Sequence, residues 1–159
     1  MENSVKNAFS FLLPYAIGLL IIRVGMDTLI KQMEWGYQGE STGGMIALGI
    51  ELAFVFLTIN NYKKFKNSGE LLFSQGVRIG VGLMVLVGTL FSIYIVLHGK
   101  YIDPTYQEKL AHEVAKANGI PYQEGRANAF TGVSLSILRY IFIGAFGSVI
   151  SSAILKTEK

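Results

Sequence analysis

Five ionisable residues stand inside otherwise apolar stretches of this chain: Arg23, Asp27, Glu51, Arg78 and Arg139. Each is expensive in hydrocarbon, roughly 2.5–3.5 kcal/mol at mid-helix on insertion scales. Guanidinium and carboxylate groups at such depth have three uses. They can pair and tie helices together, because lipid supplies no hydrophobic force between helices. They can line a polar cavity in which Arg23 and Arg139 hold a lipid headgroup or another anion. Or Glu51 can carry a proton, which requires burial to raise its pKa against the arginines that lower it. The first is the expectation; the second is the alternative.

Depth brings four of the five together. Counted from the cytoplasmic end of each run, Arg23 is about 15 residues in, ~22 Å deep. Arg139 is about 16 residues in, ~24 Å deep, and Glu51 about 11 residues in, ~16 Å deep. Asp27 lies one turn outward from Arg23 on the same helix face, a favourable spacing for a pair. The candidate cluster is therefore Arg23, Asp27, Glu51 and Arg139, formally neutral. Arg78 stands apart, near the inner end of its run, where it can snorkel to phosphates.

The elements that carry these charges are four long apolar runs, about 8–30, 42–62, 71–98 and 127–155. About 20 mostly apolar residues cross a bilayer core as a helix. All four reach that length, with charge-free stretches at 9–22, 79–97 and 140–155. The composition agrees: 51% of the 159 residues are hydrophobic and 16% charged, against about 25% charged in a soluble domain. Mean hydropathy is +0.42. The first run is read as a retained span: it exceeds a signal peptide's apolar core, and its small-x-small pattern, Ala16-Ile17-Gly18, lies in mid-run. The expected fold is all-α, a polytopic membrane protein of four transmembrane helices in a single domain.

Net charge +3, without a basic stripe, argues against nucleic acid, and the absence of cysteine excludes disulfides and thiolate chemistry. The connection between the second and third runs is short and basic, with Lys63, Lys64 and Lys66. It belongs in the cytoplasm by the positive-inside rule. Both termini then lie inside as well, and Lys6, Lys156 and Lys159 fit. Lys63, Lys64, Lys66 and Arg78 are candidate contacts for anionic lipid.

The third connection is about 30 residues, too long for a bare turn. Asp103-Pro104 predicts a helix start, with Asp as N-cap and Pro at the first helical position. Asn118-Gly119 predicts its stop. Between them, over about 104–118, Tyr106, Leu110 and Val114 form one apolar stripe. This extracytoplasmic amphipathic helix is expected to cover the bundle mouth or the membrane surface; gating of a ligand is the alternative. Trp35, Tyr37, Tyr62, Tyr94, Tyr101 and Tyr122 stand near span ends and read as headgroup anchors. Gly76-x-x-x-Gly80, with Gly82 and Gly88, and the ladder Gly144, Ser148 and Ser152 mark close helix contacts. Packing inside the bundle is the first use for them, a homodimer the second.

Phosphate-loop, dinucleotide, nucleophile-elbow and zinc-peptidase patterns are absent. The only histidines are His98 and His112. Glu108 shares a helix face with His112, and the two read as a plain surface pair. No catalytic, metal or cofactor site is expected.

The pattern Tyr62-Lys63-Lys64-Phe65-Lys66, then Gly69-Glu70-Leu71-Leu72-Phe73 leading into a glycine-rich span, is followed by Tyr101-Ile102-Asp103-Pro104-Thr105-Tyr106 and a last span ending Ala153-Ile154-Leu155-Lys156. It resembles the small four-span membrane proteins of Bacteroidota grouped as domain-of-unknown-function family 4199. The resemblance runs from about Gly44 to the C-terminus, plus a generic first span. It implies no activity and carries over no catalytic or binding residue. It does imply a setting in lipid-linked sugar metabolism, with a membrane-associated glycosyltransferase as partner. The expected function is a non-enzymatic accessory or scaffold subunit of a bacterial inner-membrane complex. The alternative is a carrier or flippase component for polyprenyl-linked sugar or another lipid headgroup.

Overall fold

A computed structural model of the chain describes residues 2–33, 36–122 and 129–157. The elements are α1 (Glu2–Gln32), α2 (Gly36–Lys66), α3 (Phe73–Tyr101), α4 (Tyr106–Ala117) and α5 (Ala129–Leu155). No strand occurs among the described residues. Four stretches are long and apolar enough to cross a membrane: Phe9–Gln32, Ser41–Lys66, Phe73–Tyr101 and Ser136–Leu155. In hydrocarbon every backbone polar group must be bonded within its own segment, and an uninterrupted helix does that. The chain is an all-α, multi-pass membrane protein. Large apolar side chains cover its outer surface, Ile21, Met45, Phe142 and Phe146 among them. Water would penalise such a surface; lipid does not.

The four spans make a ring in which α1 touches α2 and α3, and α5 touches the same two from the other side. The most extensive contact is α3 with α5, and its cause is small residues. A Cβ added at Gly76 would meet Ser152, one at Gly80 would meet Ser148, and one at Gly88 would meet Tyr140. From the other side, a Cβ at Gly144 would strike Met84. The glycines and serines marked in the sequence are thus consumed by packing inside the bundle. Leu12, Ala16 and Leu19 of α1, Val55 and Ile59 of α2, and Leu83, Met84 and Val87 of α3 fill the centre.

At the basic connection α2 runs four residues past its apolar run, whereas α3 begins at Phe73, two residues inside its own. Lys63, Lys64 and Lys66 lie in the last turn of α2, not in a loop. Three cations there complement the negative end of the helix dipole. The chain then reverses through Ser68 (φ 53°) and Gly69 (φ 85°). Gly69 suits that left-handed backbone. Asn67 Nδ2 donates to Glu70 O at 2.8 Å and to Gln75 Oε1 at 3.0 Å, which fixes the entry to α3. The end of α5 is latched here: Lys63 Nζ donates to Leu155 O at 2.9 Å, Thr157 N to Leu71 O at 2.9 Å, and Leu71 N to Thr157 Oγ1 at 3.0 Å.

The amphipathic helix exists, but it begins two residues after the expected start. Its N-cap is Thr105, and Asp103 sits in the preceding turn. Asp103 Oδ1 accepts from Thr105 N at 3.1 Å and Thr105 Oγ1 at 2.9 Å. An Asx-type turn has taken the carboxylate that a cap would have used. These contacts, the Thr105 hydroxyl first, hold Asp103 below the usual carboxylate range. The stop is as expected. Gly119 has φ 64°, and Ile120 N bonds Ala115 O while Gly119 N bonds Lys116 O, the Schellman pattern. Tyr106, Leu110 and Val114 are half-buried, whereas Glu108, Lys109 and Glu113 are exposed. Trp35, Glu34, Glu124, Arg126, Lys159 and the first two residues of the expected fourth span lie outside the described residues, as do the side chains of Lys6, Tyr37 and Glu40.

Candidate functional site

Three spans converge on Glu51. Its carboxylate is wholly enclosed, 0% exposed. From α5, Arg139 Nη2 donates to Glu51 Oε2 at 2.8 Å. From α1, Arg23 Nε stands 3.4 Å from Glu51 Oε1. That second oxygen has no hydrogen-bond partner among the described residues, so Arg23 holds it by charge rather than by a directed bond. Arg23 Nε donates instead to Tyr140 Oη at 3.3 Å, and its guanidinium carbon lies 4.9 Å from the Phe91 ring centroid. The Arg139 guanidinium carbon lies 5.3 Å from the Tyr140 ring centroid. Flat guanidinium groups stack on aromatic faces while donating at their edges, which suits arginine better than lysine here.

Asp27 belongs to a second site. The spacing that favoured a pair with Arg23 applies equally to Lys31, one turn the other way. The structure takes Lys31: its Nζ lies 2.6 Å from Asp27 Oδ2. Tyr94 Oη of α3 donates to the same oxygen at 2.7 Å and lies 3.4 Å from Thr28 Oγ1. Arg23 is drawn away to Glu51, the one of the two carboxylates that cations from two other helices reach. The expected four-member neutral cluster is therefore two sites. Arg23, Glu51 and Arg139 carry a formal net charge of +1; Asp27 and Lys31 cancel.

Arg139 is the accessible member of the first site, its side chain 35% exposed against 10% for Arg23. Its neighbours Leu138 and Phe142 are exposed apolar residues of α5. The excess guanidinium charge thus sits at the membrane-facing side of the bundle.

Lys31 ends at the bundle mouth beneath α4. Its Nζ is 4.7 Å from the Tyr106 ring centroid and 5.5 Å from that of Tyr94. A cavity of about 380 Å³ opens there, lined by Ile30, Lys31, Asp103, Tyr106, Lys109, Leu110 and Glu113. Buried His98 continues the aromatic wall, 5.6 Å from Tyr94 and 6.2 Å from Tyr106 between centroids. His112 stacks on Tyr122 at 3.6 Å between centroids. Among the described residues, no three His, Cys, Asp or Glu side chains gather as a metal site would need.

The candidate lipid contacts at the other end divide as well. Lys64, Lys66 and Arg78 are exposed, but half-buried Lys63 is spent on the last carbonyl of α5. Sequence reasoning does not find Lys31, Tyr94 or Tyr140 as members of the sites. Tyr94 stands where a headgroup anchor is expected, yet it points inward to Asp27. Tyr140, completely buried, was not singled out at all. A signal existed: the ladder Gly144, Ser148, Ser152, carried one step of four residues outward, lands on Tyr140.

A sequence model of the family described as "Protein of unknown function (DUF4199)" matches residues 7–157. No curated protein and no solved structure matches the chain.

Proposed function

This chain belongs to the DUF4199 family of proteins of unknown function, and we propose that it is a non-enzymatic accessory or scaffold subunit of a bacterial inner-membrane complex. The observation that supports this reading is the enclosure of Glu51 between Arg23 and Arg139. Three spans spend their deepest charges on one another, which makes a fixed bundle rather than an open polar passage. Lipid-facing apolar surface on all sides leaves room for a neighbouring membrane protein. A membrane-associated glycosyltransferase is the partner that the family resemblance suggests.

We place both termini in the cytoplasm of a Bacteroidota cell. Support comes from Lys63, Lys64 and Lys66 at the end of α2, beside the end of α5 that Lys63 caps. Single cysteines at Ser68 and Asn118 should then label from opposite sides of the membrane. Labelling of both from one side ends this topology. Purification of the full chain in mild detergent should yield one membrane protein in fixed ratio. Recovery of the chain alone, with headgroup-dependent lipid translocation in vesicles, overturns the scaffold role.

One observation favours that second reading, a carrier or flippase component. The Arg23–Glu51–Arg139 site has one guanidinium more than Glu51 neutralises, and Arg139 is the exposed one. An anionic headgroup would complete the balance.

A further inference from the structure

The cavity at the bundle mouth has a lining unlike that of the buried cluster. Lys31 and Lys109 bring two ammonium groups, Asp103 and Glu113 two carboxylates. The formal sum of these four is zero, and Lys31 reaches the cavity already paired with Asp27, but both signs line one volume of about 380 Å³. That is within the range of small-ligand sites, about 300–1,000 Å³. A purely anionic ligand would meet two carboxylates, and a purely cationic one two ammonium groups. A ligand with an anion and a cation a few bonds apart satisfies both sets.

Lys31 and Asp103 are fixed before any ligand arrives. Lys31 is held by Asp27 at 2.6 Å and by the face of Tyr106. Asp103 is held by Thr105, which also keeps it ionised. Preorganised charges of this kind cost little to order on binding. Ile30 and Leu110 supply an apolar flank to the same cavity. Beside it, Leu29 and Met33 of the α1 end are exposed apolar residues. A headgroup in the cavity could therefore continue as an acyl chain along the lipid-facing side of α1.

We propose that the cavity between the end of α1 and α4 binds a phosphate–ammonium zwitterion of the phosphoethanolamine class, with the phosphate towards Lys31 and Lys109 and the ammonium towards Asp103 and Glu113. A primary ammonium donates hydrogen bonds to the carboxylates; a trimethylammonium cannot. This inference does not depend on the scaffold role, only on the fold of the mouth.

The test uses the full chain in dodecyl maltoside, titrated with dihexanoyl phosphatidylethanolamine, phosphatidylcholine and phosphatidylglycerol, and with glycerophosphoethanolamine, read by native mass spectrometry and thermal shift. Loss of one charge-assisted hydrogen bond predicts about tenfold weaker binding of the choline lipid than of the ethanolamine lipid. Exposed Lys109→Ala should weaken the ethanolamine lipid about as much, and Glu113→Gln should erase the preference for ethanolamine over glycerol, with both ligand-free variants shown to be folded by circular dichroism. Tighter binding of the lipid than of glycerophosphoethanolamine identifies the membrane as the source. Equal binding identifies a free zwitterion of the same chemistry. Equal affinity for all three lipids, a preference for phosphatidylglycerol, or binding unchanged in both variants overturns the proposal. None of these results bears on whether a protein partner co-purifies, so the two readings fail separately.

Discussion

Glu51 and Asp27 are both carboxylates enclosed among membrane helices, yet their surroundings differ in kind. Glu51 is held by guanidinium groups from two other helices, α1 and α5, and among the described residues no cation of its own helix pairs with it. Asp27 is held by Lys31 of its own helix, with Tyr94 of α3 as the cross-link. The first arrangement forms only when three spans have assembled. Half of the second is present in α1 alone. Glu51 therefore reports tertiary structure, whereas Asp27 prepares the charge of Lys31 for the mouth. Their partners differ in place too: Arg23 and Arg139 meet Glu51 deep in the bundle, whereas Lys31, near a helix end, reaches the mouth.

The strongest way to break this comparison is to remove Glu51. Glu51→Ala leaves Arg23 and Arg139 facing each other without a counter-charge. Breaking a buried pair on one side costs about 3–5 kcal/mol. Water or lipid phosphate reaching Arg139 will reduce the loss. The expected result is a large fall in unfolding free energy in detergent. The pair Glu51→Ala with Arg139→Ala should lose less than the sum of the singles, because the double change removes one of the stranded charges. Unchanged melting in all three variants would show that this site does not hold the helices together.

Asp27→Asn sharpens the comparison from the other side. The variant keeps an acceptor for Tyr94 and lets Lys31 swing to water. The expected cost is about 1 kcal/mol, that of one net hydrogen bond, and Tyr94→Phe should cost about the same. Both should alter hydrogen exchange near the mouth more than in the bundle centre. A loss as large as that of Glu51→Ala would mean that the two carboxylates do one job, and the distinction would fall.

The sequence carried the spans because length and hydropathy are properties of one segment. It carried the meeting of Glu51 with Arg139 and Arg23 because depth can be counted along each helix, and opposite charges at similar depth have few other partners. Asp27 pairs with Lys31 rather than with the expected Arg23 for a definite reason. Arg23 and Lys31 are each one turn away, so spacing alone treats them alike; only the position of α2 decides, by offering Glu51 to Arg23. Tyr94 departs from its expected place because a ring near a span end serves lipid or core depending on helix rotation. That rotation is set by the glycine contacts of α3 with α5, which no single segment contains. The lysines of α2 looked like loop residues because apolarity ends before the helix does.

The smallest effect on the bundle is expected at α4, and it tests whether the mouth is separate from what lies beneath. Leu110 is half-buried, lines the cavity and belongs to the stripe with Tyr106 and Val114. A helix of this length is marginal in water without a surface to cover. Leu110→Asp removes the middle of the stripe, so residues 106–117 should exchange rapidly while the four spans keep their protection and melting point. Acid should loosen the same segment from its other end. Asp103 has a lowered folded pKa, so its contribution is complete above the ordinary carboxylate pKa. It is lost only as pH falls through the lowered value. Protection of α4 in the unmutated chain should accordingly survive to pH values at which free carboxylates are half protonated, and fail below them. Spans that loosen together with α4 in Leu110→Asp would make the mouth part of the same cooperative unit as the Glu51 site. Slow exchange of α4 in that variant would show instead that its hold lies outside the stripe.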